Sequence, residues 1–196
     1  MPRVSNCGVR LGLVIARFCT AAWVGAAALF VVTALREVRS SPFDPAAKDT
    51  LALLRFPAYY AFGFTLVGLA LAGALLASRD RAAARDRVPS DGVPPAPPNT
   101  AQPDTAQPGT SASDRADRLP VSVAAGLLAA VLLMMLADFI FVYRPLVGMI
   151  TPPGGVRVAQ FGSYHRMSIW LNVGDVGLAA VAAVLLCWPN CRRHAR

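Results

Sequence analysis

Four blocks of apolar residues dominate the chain, and each has about the length of a membrane span. The blocks cover residues 11–35, 56–77, 121–143 and 167–188. A helix needs about 20 apolar residues to cross about 30 Å of hydrocarbon, and inside lipid only internal hydrogen bonds satisfy the backbone. The pattern therefore predicts an all-α fold, an integral membrane four-helix bundle. The first block is longer than the core of a signal peptide, so we interpret it as a span.

A polar stretch divides the four spans into two pairs. Residues 79–119 are poor in apolar side chains and rich in Pro, Ala, Asp, Gln and Thr, a composition typical of disordered chain. We predict a first transmembrane hairpin at 11–78, a disordered cytoplasmic loop at 79–119 and a second hairpin at 120–188. A short N-terminal segment (1–10) and a basic tail (189–196) complete the chain.

Composition supports a membrane protein and argues against nucleic acid as a partner. Hydrophobic residues make up 55% of the chain and charged residues 15%, against about 25% charged in a soluble domain. The net charge is +8, but the arginines lie at the ends of apolar blocks and form no basic helix or aromatic-interleaved patch. The expected partners are the lipid bilayer and either a second copy of this chain, in a homo-oligomer, or another membrane protein.

The positions of arginine and lysine predict the topology. Eleven of the 19 lie in the two terminal segments and the central loop, and seven lie in the other two connections. Because cytoplasmic segments carry the excess of positive charge, we expect both termini in the cytoplasm. Abundant Ala, Gly and Arg with a single Lys is typical of a GC-rich bacterial genome, which indicates the bacterial inner membrane.

Aromatic residues mark the expected membrane interfaces. Trp170 and Trp188 are 18 residues apart, about 27 Å along a helix, so each interface of the fourth span would receive one indole. We expect Tyr59, Tyr60 and Tyr143 at the outer interface with Trp170. The alternative is that these tyrosines fill gaps between helices.

Two helices are expected to begin before the membrane. Asp44 followed by Pro45 is a typical N-cap and first helical position, so a helix would run from there into the second span, with a kink at Pro57. After the third span, Pro152 to Gly155 break the chain, and the next helix is expected to start near Val156.

A polar stripe descends into the fourth span. His165, Ser168, Asn172 and Asp175 are spaced by three, four and three residues, which places them on one helix face. Gln160 and Arg157 would extend the stripe outward. Such a face must contact other helices, because an ionised side chain at the bilayer centre costs roughly 2.5–3.5 kcal/mol.

Groups on other spans are expected to reach the stripe. Asp138 lies in the third span at a depth similar to that of Asn172, and Arg55, Tyr59 and Arg144 can approach the same level. We therefore predict a polar cluster in the outer half of the bundle, with the carboxylates neutralised by Arg, His or hydroxyl donors. It is either a site for a small polar ligand, an ion or a proton, or a set of hydrogen bonds that holds the bundle together. Arg17 is expected to extend toward the inner interface.

The same stripe carries a family resemblance. Phe161, His165, Ser168, Leu171 and Asn172 have the spacing F-x-x-x-H-x-x-S-x-x-L-N, which resembles the signature of the transmembrane-protein-205-like domain family of small four-span membrane proteins. The Tyr59 to Phe64 stretch and the first span, from Arg17 to Phe30, look similar too, and the likeness covers residues 11–78 and 121–188. It implies the four-span architecture and a polar site at His165, Ser168, Leu171 and Asn172, and it does not imply a reaction.

Three hypotheses about function remain open from the sequence. The chain is a non-enzymatic packing partner or accessory subunit, a small transporter or ion- and proton-binding protein, or a haem protein. Haem needs two facing intramembrane histidines, and only His165 is near a span. Cys7, Cys187, Cys191 and His194 are too loosely spaced to predict a metal site, so we expect no metal and no cofactor. No nucleophile–base or phosphate-binding motif is present, and the catalytic residues, if any, stay unknown.

Overall fold

A computed structural model describes residues 3–39, 43–86 and 119–188. Its helices are α1 (Arg3–Arg39), α2 (Pro45–Asp86), α3 (Leu119–Asp138), α4 (Arg144–Met149) and α5 (Phe161–Cys187). A π-helical turn, Phe139–Tyr143, joins α3 to α4, so that residues 119–149 form one continuous helical rod. The described ranges contain no strand. The predicted all-α four-helix bundle is confirmed.

The four long helical segments form a closed ring. α1 packs against α2 and α5, and α3 packs against the same two helices from the other side. Trp23, Val67, Leu128, Met135 and Leu186 are fully buried where the helices meet. The segments 10–37, 45–79, 121–149 and 161–187 are long and apolar enough to cross a membrane. These helices fit a multi-pass membrane protein, and many large apolar side chains on their outer faces are exposed.

Small residues let α1 and α2 approach each other closely. A Cβ atom added to Gly12 would lie 2.7 Å from the Gly73 carbonyl oxygen, and one added to Gly73 would lie 2.6 Å from the Gly12 oxygen. Both distances are shorter than van der Waals contact, so the crossing requires glycine on both helices. A side chain at Gly63 would overlap Trp23 and Met135.

The predicted start of α2 is confirmed by its cap. The Asp44 carboxylate accepts a hydrogen bond from the Ala47 N–H at 2.7 Å, which satisfies one of the free donors of the first turn. α2 then runs without interruption through Pro57 and the second apolar block. It continues to Asp86, eight residues into the stretch predicted to be disordered. The rest of that stretch, 87–118, and the predicted tail lie outside the described residues.

The predicted start of the last helix is wrong. α5 begins at Phe161, and residues 150–160 form an irregular connection. Asp49 of α2 explains the difference, because its carboxylate binds the Gly154 N–H at 3.0 Å and the Arg157 guanidinium at 2.5 Å. Gly154 has φ of +77° and lies against Ala46. The connection is therefore held across the start of α2 in a conformation that a helix from Val156 would not allow.

α1 is also longer than predicted, and Arg17 of this helix reaches the end of α5. The helix starts at Arg3 rather than near residue 11. Arg17 Nε donates a hydrogen bond of 2.7 Å to the carbonyl oxygen of Leu186, in the last turn of α5. Arg17 therefore satisfies a helix-terminal carbonyl, rather than only extending toward an interface. We call this the terminal end of the bundle, and the opposite end, with residues 43–44 and 150–160, the connection end.

Candidate functional site

Three helices contribute to one buried hydrogen-bonded network. The Tyr60 hydroxyl of α2 donates to Asp138 Oδ2 of α3 at 2.6 Å, and Asn172 Nδ2 of α5 donates to the same oxygen at 3.0 Å. Tyr59 donates to Asn172 Oδ1 at 2.9 Å. Asn172 Nδ2 also lies 2.8 Å from the Ser168 carbonyl oxygen and 3.3 Å from its hydroxyl. We call these five residues the Asp138 network.

Aromatic packing fixes the two tyrosines of the network. The Tyr60 ring lies 4.9 Å from the ring of Tyr143 and 5.1 Å from that of Phe139, both in the π-helical turn that follows Asp138. The Tyr59 ring stacks on Phe30 of α1 at 4.3 Å. Each tyrosine ring is therefore held by aromatic rings of one other element, the π-helical turn for Tyr60 and α1 for Tyr59, so packing as well as hydrogen bonds fixes the network.

A second carboxylate lies one turn further along α5. Asp175 is 2% exposed and Asp138 is 1% exposed. The Oδ1 atom of each has no hydrogen-bond partner in the described part of the chain, and neither does the buried indole nitrogen of Trp23. Nor does any ion pair among the described residues involve either carboxylate. Of the expected partners, Arg, His or hydroxyl donors, the structure shows a hydroxyl donor to Asp138, from Tyr60, together with the Asn172 amide.

The structure does not bring His165 into the network. Its side chain is exposed and stacks on Phe161, with 5.8 Å between ring centroids. At 3.6 residues per turn, His165 is rotated by about 60–80° from Ser168 and Asp175 around the helix axis, so it lies at the edge of the stripe. Arg157 precedes the helix and cannot extend this face.

Arg55 belongs to a different group of side chains at the connection end. Its guanidinium pairs with Glu37 and donates to the Thr33 hydroxyl at 2.7 Å, and it lies 5.1 Å from the centre of the Phe30 ring. This arrangement joins the end of α1 to α2. The remaining predicted basic partner, Arg144, is exposed.

The tryptophans and the tyrosines lie in different places: the tryptophans on the outside of the bundle, and Tyr59 and Tyr60 between its helices. Trp170 and Trp188 are 74% and 67% exposed, on the outside of the bundle. Tyr59 and Tyr60 are buried between helices, so the prediction that they lie at the interface is wrong. Tyr60 was missed as a network residue. The sequence contains a signal for Tyr60, because burying a tyrosine hydroxyl inside an apolar block costs free energy unless it has a hydrogen-bond partner.

Among the described residues, no group of three His, Cys, Asp or Glu side chains is arranged to hold a metal ion. Cys19 is buried in the core and Cys187 is exposed, while Cys191 and His194 lie outside the described ranges. A groove of about 430 Å³ runs along the outside of α1 and α2, with Trp23, Phe30, Tyr59 and Phe62 among its walls.

Fold and site together define a class: a helical bundle of membrane-span helices with a buried polar network. Comparison with known proteins adds no name to this class. No protein-family model matches the chain, and no curated protein or solved structure has significant similarity to it.

Proposed function

We propose that this chain is a non-enzymatic, multi-pass protein of the bacterial inner membrane, in which the Asp138 network holds the helices together. The observation that carries the proposal is that α2 from the first hairpin and α3 and α5 from the second meet in one buried set of hydrogen bonds. Lipid competes poorly for such polar groups, so a bonded network inside apolar helices favours the associated state.

Apolar packing alone does not determine which helices associate in a membrane, and the Asp138 network supplies this specificity. Within lipid, burying a leucine between helices gains little, because acyl chains are equally apolar, so hydrogen bonds and close contacts decide which helices associate. Asp138, Asn172 and the two tyrosines provide bonds with defined partners. The glycine contact of α1 with α2 and the bond from Arg17 to the last turn of α5 attach the remaining helix.

Matched substitutions on α5 test this structural role. Asn172→Leu removes the donor to Asp138 and the acceptor for Tyr59, and we expect a lower yield of folded protein in the membrane. His165→Ala, on the same helix but with an exposed side chain, should accumulate like the wild type. Equal accumulation of the two variants would refute the structural role of the network.

The proposed topology places both termini in the cytoplasm and the connection end outside. The excess of arginine at the terminal end supports this orientation. The test uses single-cysteine proteins and a membrane-impermeant maleimide. Val156→Cys, at a position 97% exposed in the connection, should react in intact cells. A protein that retains only Cys187, exposed at the terminal end, should react only after permeabilisation. The opposite pattern would reverse the orientation.

A second candidate function is that of a small transporter or an ion- or proton-binding membrane protein. The observation in its favour is the pair of buried carboxylate oxygens, on Asp138 and Asp175, that have no partner in the described part of the chain. The haem hypothesis gains no similar support, because His165 is exposed on the outside of the bundle.

We also keep the family resemblance as a proposal. Of its motif residues, Ser168 and Asn172 lie in the network and Leu171 is half-buried beside it, while His165 points away. If the likeness reflects common ancestry, the polar positions retained in related chains should be those that correspond to Ser168 and Asn172. An alignment of related sequences in which both positions are apolar would oppose it.

A further inference from the structure

We propose that Asp138 and Asp175 form a proton-binding site, in which the two carboxyl groups hold at least one exchangeable proton at neutral pH. The inference rests on the membrane placement proposed above and identifies the ligand class of the second candidate function. The proton comes from water and returns to it, so no covalent step is involved.

Two buried acidic side chains lie about one helical turn apart along the bundle. Asp175 follows Asn172 by three residues on the same face of α5, and Asn172 is hydrogen-bonded to Asp138. Both acidic side chains are at least 98% buried. Two like charges in a medium of low polarity repel each other, and each loses its hydration. Binding of one proton removes both costs from one of the two groups.

The groups that face the pair supply no compensating charge. Tyr59 and Tyr60 of α2 belong to the Asp138 network, Trp23 of α1 packs on Tyr59 and Tyr143 of the π-helical turn packs on Tyr60, and none of these side chains carries a charge at pH 7. Two basic side chains inside the spans of α1 and α2 are engaged elsewhere: Arg17 binds the end of α5, and Arg55 pairs with Glu37. A bound proton therefore has to neutralise one carboxylate, as an arginine does in an ordinary buried ion pair.

The pattern of hydrogen bonds agrees with a protonated carboxyl group. Asp138 Oδ2 accepts two hydrogen bonds, from Tyr60 and Asn172, whereas Oδ1 has no partner in the described residues. Asp175 Oδ1 also lacks one. Two buried acceptors without donors are costly when both groups are ionised. A proton on one Oδ1 removes the charge of that group, and a neutral carboxyl group is less costly to bury without partners than an ionised one.

Infrared spectroscopy of the full-length protein tests the proposal directly. The protein is labelled with [4-¹³C]aspartate and purified in dodecyl maltoside, which has no carboxyl or ester group. At pH 7 we expect the C=O stretching band of a protonated aspartic acid, shifted by the isotope. The band should disappear in the D138N/D175N double variant. It should persist in D49N, because Asp49 is the ionised partner of Arg157.

The wild-type spectrum decides the question even if the double variant does not fold, because absence of the band at pH 7 overturns the proposal. A band that persists in a folded double variant does so as well. Replacing choline chloride by sodium chloride should leave the band unchanged, and its loss in sodium would assign the site to a metal cation instead. The maleimide experiment tests membrane placement separately, so the two failures are distinguishable.

Discussion

Removal of the Tyr60 hydroxyl provides the most direct test of the Asp138 network. Tyr60 is 3% exposed, and its hydroxyl donates to Asp138 Oδ2 at 2.6 Å. Tyr60→Phe deletes this bond and keeps the ring, which packs against Phe139 and Tyr143. The substitution therefore isolates the hydrogen bond between α2 and α3 from the aromatic packing around it.

The loss of stability expected for Tyr60→Phe follows from the geometry of its hydrogen bond to Asp138. Hydrogen bonds between helices in membrane proteins contribute about 0.6 kcal/mol on average and up to about 1.7 kcal/mol. The Tyr60 bond is short for an O–H···O pair and fully buried, which places it in the upper part of this range. Asn172 still donates to the same oxygen in the variant, so no full desolvation penalty is added. We expect a loss of about 1–1.7 kcal/mol, equivalent to about a tenfold change in the unfolding equilibrium.

The measurement is the free energy of unfolding in mixed micelles, with SDS as denaturant and helical circular dichroism as the signal. Tyr164→Phe is the matched control, because Tyr164 is a half-buried tyrosine outside the network. It should change the free energy of unfolding by less than about 0.5 kcal/mol. If Tyr60→Phe is no less stable than this control, the Tyr60 bond makes no contribution and the structural role of the network is refuted.

A double-mutant cycle separates the bond from other effects of the substitution. Tyr60→Phe is made in the wild type and in an Asp138→Ala background, and the two losses are compared. If the hydroxyl acts through Asp138, most of its contribution should vanish when the carboxylate is absent. Equal losses in both backgrounds would show that Tyr60→Phe acts through packing.

Three other substitutions, the first with a matched control, test contacts outside the network. Gly12→Ala should destabilise the bundle by about 1–3 kcal/mol through overlap with the α2 backbone, whereas Gly25→Ala, where a Cβ meets nothing within 4 Å, should be neutral or stabilising in the same unfolding assay. Arg17→Met should remove the bond to the last turn of α5, and amide hydrogen exchange there should become faster while the connection end is unchanged. Asp49→Ala should release the 150–160 connection, seen as faster exchange at the Gly154 amide with little change in helix content.

The fold follows from the sequence because its main signals are local. Apolar blocks of about 20 residues specify helices in lipid whatever their neighbours are, and the Asp44–Pro45 cap needs only the first turn of its own helix. The predicted start of α5 is wrong for the opposite reason, because it depends on a distant contact. Asp49, more than 100 residues earlier in the chain, holds Gly154 and Arg157, and no local pattern contains that contact.

The part of the site that the sequence predicts is the part in which helical spacing alone determines where the side chains point. The spacing of Ser168, Asn172 and Asp175 places them on one face, and in the structure this face points into the bundle, where Asn172 bonds to Tyr59 and Asp138. His165 shares the spacing but lies at the edge of the face, where a rotation of about 60–80° separates buried from exposed side chains. Arg55 was assigned by depth, yet Glu37 offers it a partner nearer the connection end. Depth and charge do not specify direction around a helix axis.

The π-helical turn explains why the aromatic packing around Tyr60 could not be predicted from helical spacing. In an α-helix, residues three or four apart share a face, so Asp138 would align with Phe141 and Val142. Instead, the Arg144 N–H bonds to the carbonyl oxygen of Phe139, five residues earlier. This wider turn changes the helical phase after Asp138 and brings Tyr143 onto the face that contacts Tyr60. A sequence pattern with a constant period cannot contain such a change, and π-helical turns are frequent at functional sites. The turn is therefore the structural feature that lets one tyrosine pack on the aromatic rings and bind the carboxylate at the same time.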